Sequence, residues 1–130
     1  MRIGELSRRT GVSARSLRYY EQQGLLTACR DASGYRRYGA DAVETVGRIR
    51  ELLAAGLNTA DIGEVLPCAH GGPGLMSCDV TLRVLGDQLA RIDAEMAELG
   101  RRREALVGVC EATAARRRED EALARFALRA

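Results

Sequence analysis

The side chains of this 130-residue chain that could do chemistry are four cysteines, a single histidine and two blocks of interleaved arginine and tyrosine. Cys68 follows Pro67, and Cys78 stands where a long apolar repeat begins. Between them Ala69 to Ser77 hold three glycines, a proline and His70. Such a segment is flexible enough to bring two sulfurs together or to close around a ligand. Two chemistries follow: reversible oxidation of Cys68 and Cys78, or capture of a soft metal ion by Cys68, His70 and Cys78. In an oxidant-poor compartment, cysteines in a chain of this size point to sensing or metal binding rather than to structural bridges. Cys110 reads as a small apolar residue and Cys29 as a spacer.

The second chemistry is cationic. All four tyrosines and eight of the twenty arginines lie in the first 38 residues, as Arg18-Tyr19-Tyr20 and Tyr35-Arg36-Arg37-Tyr38 among others. Against three acids this gives residues 1–38 a net charge of +5, whereas residues 39–130 carry −3, so the formal +2 of the whole chain hides a polarised molecule. A local excess of arginine attracts nucleic acid by counterion release, and tyrosine hydroxyls and rings add positioning contacts.

The elements needed to place these residues can be read from spacing. Ile3, Leu6 and Val12 predict a short helix from Gly4 to Thr10 closed by Gly11. Ser13 caps a second from Ala14 to Gln23, ended by Gly24. Two short helices joined by a tight turn form a helix-turn-helix, which points Ser13, Arg15, Ser16 and Arg18 at the major groove. Only Arg15 among the first turn has a side chain suited to paired hydrogen bonds with guanine. Leu25 and Leu26 open an extended passage that turns at Asp31-Ala32-Ser33-Gly34 and returns along Tyr35 to Tyr38, a two-stranded wing. Strand alternation puts Tyr35 with Arg37 on one face and Arg36 with Tyr38 on the other, without saying which face packs. A third helix runs from Ala40 to Gly56, and a fourth, capped by Thr59, from Ala60 to Leu66 before Pro67.

Leu82, Leu85, Leu89, Ile92, Met96, Leu99, Leu106 and Cys110 recur at alternating spacings of three and four, broken once by Arg103. This predicts one long helix over 79–112 whose apolar seam needs a partner helix. The organisation is thus 1–66, a DNA-binding domain; 67–78, a cysteine-bearing linker; 79–112, a dimerisation helix; and 113–130, a helical tail.

The order of these motifs is similar to that of the MerR family of bacterial transcription regulators. Ile3-Gly4-Glu5-Leu6, Thr10-Gly11-Val12-Ser13, Leu17-Arg18-Tyr19-Tyr20-Glu21, Gly24-Leu25-Leu26 and Gly34-Tyr35-Arg36-Arg37-Tyr38 carry the resemblance, which continues through Ala55-Gly56-Leu57-Asn58-Thr59 and Ile62. It implies a mainly all-α fold: a winged helix-turn-helix domain with a small two-stranded wing, then a long antiparallel coiled-coil dimerisation helix. It also implies a homodimer that binds double-stranded promoter DNA and distorts an overlong spacer for RNA polymerase, which is readout through DNA deformation. Carried over residue by residue, Arg18, Tyr19, Tyr35, Arg36 and Arg37 would hold the backbone, with Ser13, Arg15 and Ser16 in the groove.

The resemblance is informative where it stops. Metal sensors of the family pair a cysteine at the position of Cys78 with ligands on a loop after the dimer helix, but here 113–130 contains neither cysteine nor histidine. The tight four-cysteine cluster of the iron–sulfur sensors and the large effector domain of the drug sensors are missing too. Thiol oxidation at Cys68 and Cys78 is therefore the leading signal. Antiparallel pairing could also bring Cys78 near Cys110 of a second subunit, as a disulfide or a thiolate site, and the alternative signal is a soft transition-metal ion held by Cys78 with Cys68, His70 or Cys110 of that subunit. Otherwise no cofactor is expected. Two further classes compete: an enzyme built on a Cys–His pair, which lacks any orienting third residue, and an architectural protein that binds DNA without sequence preference. No apolar run reaches membrane-spanning length and no secretory leader is evident, so the expectation is a cytoplasmic, non-enzymatic protein.

Overall fold

The computed structural model describes residues 1–69 and 74–129. It divides into two compact units, Met1–Gln88 and Leu89–Ala130.

The first unit is built from two short helices, a wing and two further helices. Helix α1 (Ile3–Thr10) buries Leu6 and is stopped by Gly11, whose φ of 73° lets its N–H return to the Ser7 carbonyl at 2.8 Å. That left-handed conformation is cheap only for glycine. The turn that follows satisfies its own polar groups: the Ser7 hydroxyl donates to the Val12 carbonyl at 2.7 Å and the Thr10 hydroxyl to the Leu6 carbonyl at 2.8 Å. From across the core, Arg50 Nη1 donates to the Thr10 carbonyl at 3.0 Å. Helix α2 (Ala14–Gln22) starts as predicted on Ser13, whose Oγ accepts from the Ser16 N–H at 3.1 Å.

The wing consists of β1 (Cys29–Arg30) and β2 (Arg36–Arg37), antiparallel, with Cys29 opposite Arg37 and Arg30 opposite Arg36. Helix α3 (Ala42–Ala54) begins two residues later than the sequence pattern suggested and buries Ala42, Val46, Ile49 and Leu52. Helix α4 (Thr59–Val65) is capped by Asn58, not by Thr59. Asn58 is extended at φ −83° and ψ 171°, and its Oδ1 accepts the Asp61 N–H at 2.8 Å. The Thr59 hydroxyl donates instead to Gln23 Oε1 at 3.3 Å, tying α4 to the end of α2. Pro67 does not simply end this helix but sits inside a following 3₁₀ turn, Leu66–Cys68.

These elements enclose one core, in which Leu6, Leu17, Ile49 and Ile62 lie beside Val46 and Val65 with no solvent exposure. Helix α5 (Asp79–Arg129) is continuous for 51 residues, so the expected tail over 113–130 is its last turns rather than a separate element. Its start belongs to the first unit, where Thr81 and Val84 are buried. There Gln88 Nε2 donates to the Ala55 carbonyl at 3.1 Å and Arg83 pairs with Glu64 at 3.4 Å. In the second unit local ion pairs such as Arg101–Glu98 (2.8 Å) and Arg117–Glu121 (3.2 Å) lace the helix surface. Among the described residues no helix is long and apolar enough to cross a membrane.

Candidate nucleic-acid interface and thiol pair

The helix-turn-helix presents Arg15 as an exposed side chain on the first turn of α2. The two serines expected beside it are engaged in the cap, because the Ser13 hydroxyl also donates to Ser16 Oγ at 3.1 Å. Arg18 and Tyr19 are exposed on the same helix, Tyr19 at 48%.

The wing resolves the choice that alternation left open. Tyr38 is buried, at 2% exposure, and its hydroxyl donates to Glu21 Oε1 at 3.1 Å; Arg36 Nε pairs with the other oxygen of the same carboxylate at 3.2 Å. The Arg36 and Tyr38 face is therefore the one anchored to α2, and Glu21 joins the wing to the helix. Burial, with the Glu21 charge beside it, pushes the Tyr38 hydroxyl above its ordinary pKa. Tyr35 is 56% exposed with the Arg2 guanidinium 4.4 Å above its ring, a cation–π stack. The wing turn is held by Asp31, whose Oδ1 accepts from Ser33 N (2.9 Å) and Tyr35 N (3.1 Å) and whose Oδ2 accepts from Arg37 Nε at 3.0 Å. The hydrogen bond from Arg37 first, and those from the two backbone amides, hold the Asp31 carboxyl below its usual range.

Between wing and helices lies an open cavity of about 260 Å³ whose lining includes Arg2, Arg18, Arg30 and Arg36 with Tyr35 and Tyr38. The four arginines make this surface electropositive. Two of them, Arg2 and Arg30, escaped the sequence reading. Arg30 is placed by the wing register and donates through Nη1 to the Gly34 carbonyl at 2.8 Å, and nothing in its local spacing signals this.

The first unit also assembles the two cysteines singled out above. Cys68, half-buried on the 3₁₀ turn, and Cys78, exposed before the first turn of α5, bring their sulfurs to 3.7 Å. The Met76 N–H donates to the Cys68 carbonyl at 2.8 Å and fixes the return of the chain. Cys78 Sγ accepts the Thr81 N–H at 3.4 Å and lies 3.2 Å from Thr81 Oγ1. The hydroxyl and amide of Thr81, in that order, hold the Cys78 thiol below its ordinary pKa, helped by Cys68. His70 lies outside the described residues. Among the described residues no three metal-ligating side chains gather, and Cys29 and Cys110 are exposed thiols.

Residues 1–68 match the family described as MerR HTH family regulatory protein. The chain belongs to the MerR family. It is 30% identical over 112 residues to the HTH-type transcriptional regulator CueR of Salmonella typhi, covering 85% of this chain and 80% of that protein. It is 45% identical over 64 residues to an HTH-type transcriptional activator SoxR homolog of Chromobacterium violaceum, covering 49% of this chain and 43% of that relative. A solved structure of the transcription regulator PbrR691 from Ralstonia metallidurans CH34 in complex with lead(II) shares the fold, with a TM-score of 0.69 at 24% identity over 82% of each chain. The winged helix-turn-helix and long C-terminal helix read from sequence are thus those of a MerR-type transcription regulator, a family whose members bind promoter DNA and are not enzymes.

Proposed function

We propose that this MerR-type regulator is a homodimer that binds a palindromic promoter and changes its grip on the spacer when Cys68 and Cys78 are oxidised to a disulfide. The observation that carries the signal is the 3.7 Å separation of the two sulfurs. One sits on the turn leaving α4, the other at the start of α5. A bond between them would tie the DNA-binding helices to the root of the dimer helix, where Arg83–Glu64 and the Gln88–Ala55 hydrogen bond already join α5 to α4 and α3.

On DNA, Arg15 is the base reader, flanked by Ser13 and Ser16. Arg18, Tyr19, Tyr35, Arg36 and Arg37 hold the backbone, with Arg2 and Arg30 added by the basic cavity. Dimerisation uses Leu82, Leu85, Leu89, Ile92, Met96, Leu99, Leu106 and Cys110. In the single chain Leu82, Leu89, Met96, Leu99 and Leu106 are each at least 60% exposed, as a seam without its partner must be. RNA polymerase is the further partner, and the cytoplasm the compartment.

The competing reading, a soft transition-metal ion on Cys68 and Cys78 with His70 or Cys110 of a second subunit, has in its favour the lead(II) bound by the structural relative. To such a site the described residues of one chain bring two sulfurs, Cys68 and Cys78. Peptide mass spectrometry over 67–83 before and after oxidant tests the thiol reading: loss of two hydrogens, reversed by reductant, is the expected result, and no loss removes it. Competition by unrelated duplex in a gel shift separates a promoter-specific dimer from an architectural DNA binder, which predicts equal displacement.

A further inference from the structure

We infer that the two thiols have unequal roles: Cys78 is the sulfur that attacks a hydroperoxide, and Cys68 resolves the resulting sulfenic acid into the disulfide. This rests on the redox reading above and adds the oxidant class, the order of events and a third residue, Thr81.

The argument starts from Thr81. It is buried, at 2% exposure. A buried hydroxyl is costly unless hydrogen-bonded. Here the hydroxyl lies 3.2 Å from Cys78 Sγ, and the Thr81 amide donates to the same sulfur at 3.4 Å. Cys78 therefore takes the place of an oxygen N-cap, with its sulfur at the positive end of a 51-residue helix. These contacts favour the thiolate, in agreement with the depressed pKa of Cys78. Exposure separates the two sulfurs further, since Cys78 is open to solvent and Cys68 is half-buried. A small oxidant reaches Cys78 first, and the nucleophile waiting 3.7 Å away is Cys68.

The chemistry closes. The Cys78 thiolate attacks the distal oxygen of ROOH. The O–O bond breaks, an S–O bond forms, and the departing alkoxide takes up the proton released when the Cys78 thiol ionised, leaving Cys78 as sulfenic acid and ROH. The Cys68 thiol then attacks the sulfenic sulfur. The S–O bond breaks, hydroxide leaves with the Cys68 proton as water, and the disulfide remains. The two sulfurs lose two electrons and the peroxide gains them. Thr81 is a positioning residue, orienting the sulfur and stabilising its anion.

The test treats the wild type and the variants Cys68→Ser, Cys78→Ser and Thr81→Val with hydrogen peroxide, traps sulfenic acid with dimedone, and reads the tryptic peptide 51–83. Expected are a disulfide without adduct in the wild type and an adduct on Cys78 in Cys68→Ser. Adduct on Cys68 in Cys78→Ser should form severalfold more slowly at neutral pH than adduct on Cys78 in Cys68→Ser. In Cys68→Ser the rate should rise with pH and level off below the ordinary thiol range. Adding Thr81→Val should move that profile to higher pH while the circular dichroism spectrum is unchanged. A wild-type disulfide with equal or faster adduct on Cys68, or with no adduct in either single variant, overturns the assigned order and leaves the redox reading standing. A pH profile that ignores Thr81→Val removes Thr81's role. Absence of any wild-type disulfide overturns the order and the redox reading together.

Discussion

Oxidation should stabilise the first unit by an amount that the loop between the cysteines fixes. Cys68 and Cys78 are ten positions apart, and cross-linking a loop of that length removes chain entropy worth about 3 kcal/mol from the unfolded state. The sulfurs must close from 3.7 Å to a bond of about 2 Å. Where side-chain rotation alone closes that gap, little of the gain is lost to distortion. For a unit of 88 residues, 1 kcal/mol moves the melting midpoint by about 4–8 °C, which places the expected rise at about 12–24 °C. The assay is thermal unfolding of the full chain at fixed protein concentration in reductant and after peroxide, with the disulfide content of each sample measured by mass, and the double variant Cys68→Ser/Cys78→Ser as control. Concentration must be held because dimerisation also shifts the midpoint. A quantitatively oxidised sample with an unchanged or lowered midpoint would refute the claim that the reduced fold already holds the two cysteines in bonding position.

The remaining expectations concern DNA, assembly and pH. Arg15→Ala should relax preference at one base pair per half-site, costing about 1–3 kcal/mol there, whereas Arg36→Ala should weaken all sequences alike and lower the salt slope by about one per protomer at most, since Glu21 already engages its guanidinium; fluorescence anisotropy on operator variants at several salt concentrations separates the two, and identical behaviour defeats the division. Leu89→Glu or Ile92→Glu should leave a monomer by sedimentation that loses operator affinity, and a variant that stays dimeric contradicts the assigned seam. For Asp31 the folded pKa is depressed below the ordinary 3.8, so its support of the wing is fully present above that value and is lost as pH falls through the lower, folded one. The Ser33 and Tyr35 amide resonances should titrate with a midpoint below 3.8, and a midpoint at or above it would mean that the carboxylate is not held as described.

Much of this was legible in local spacing. Gly11, Ser13 and Gly24 mark helix ends because each solves a backbone problem within a few residues, and the interleaved arginines and tyrosines announce an anion-binding surface by composition alone. Legibility fails where two residues compete for one role. Asn58 and Thr59 are both competent caps, and the choice falls to the residue whose side chain is not needed by Gln23. It fails again where the partner is distant in sequence. Arg2 and Arg30 reach the basic cavity through folding, and the packing face of the wing depends on Glu21. Beyond Cys110 the apolar seam stops, yet Ala, Arg and Glu have high helix propensity and pairs such as Arg117–Glu121 continue the helix to Arg129. The expected helical tail is thus continuous with the dimer helix. Thr81, three residues after Cys78, was readable as half of a sulfur cap, but sulfur is rarely sought at that position.

The most direct measurement of the account is the end-to-end distance of a doubly labelled operator duplex, selected from random DNA by the reduced protein, when bound by reduced, peroxide-oxidised and re-reduced protein. The predicted result is a change in DNA bend or affinity on oxidation that reductant reverses and the double cysteine variant does not show. Identical bend and affinity in both states, with the Cys68–Cys78 disulfide confirmed by mass, would contradict it.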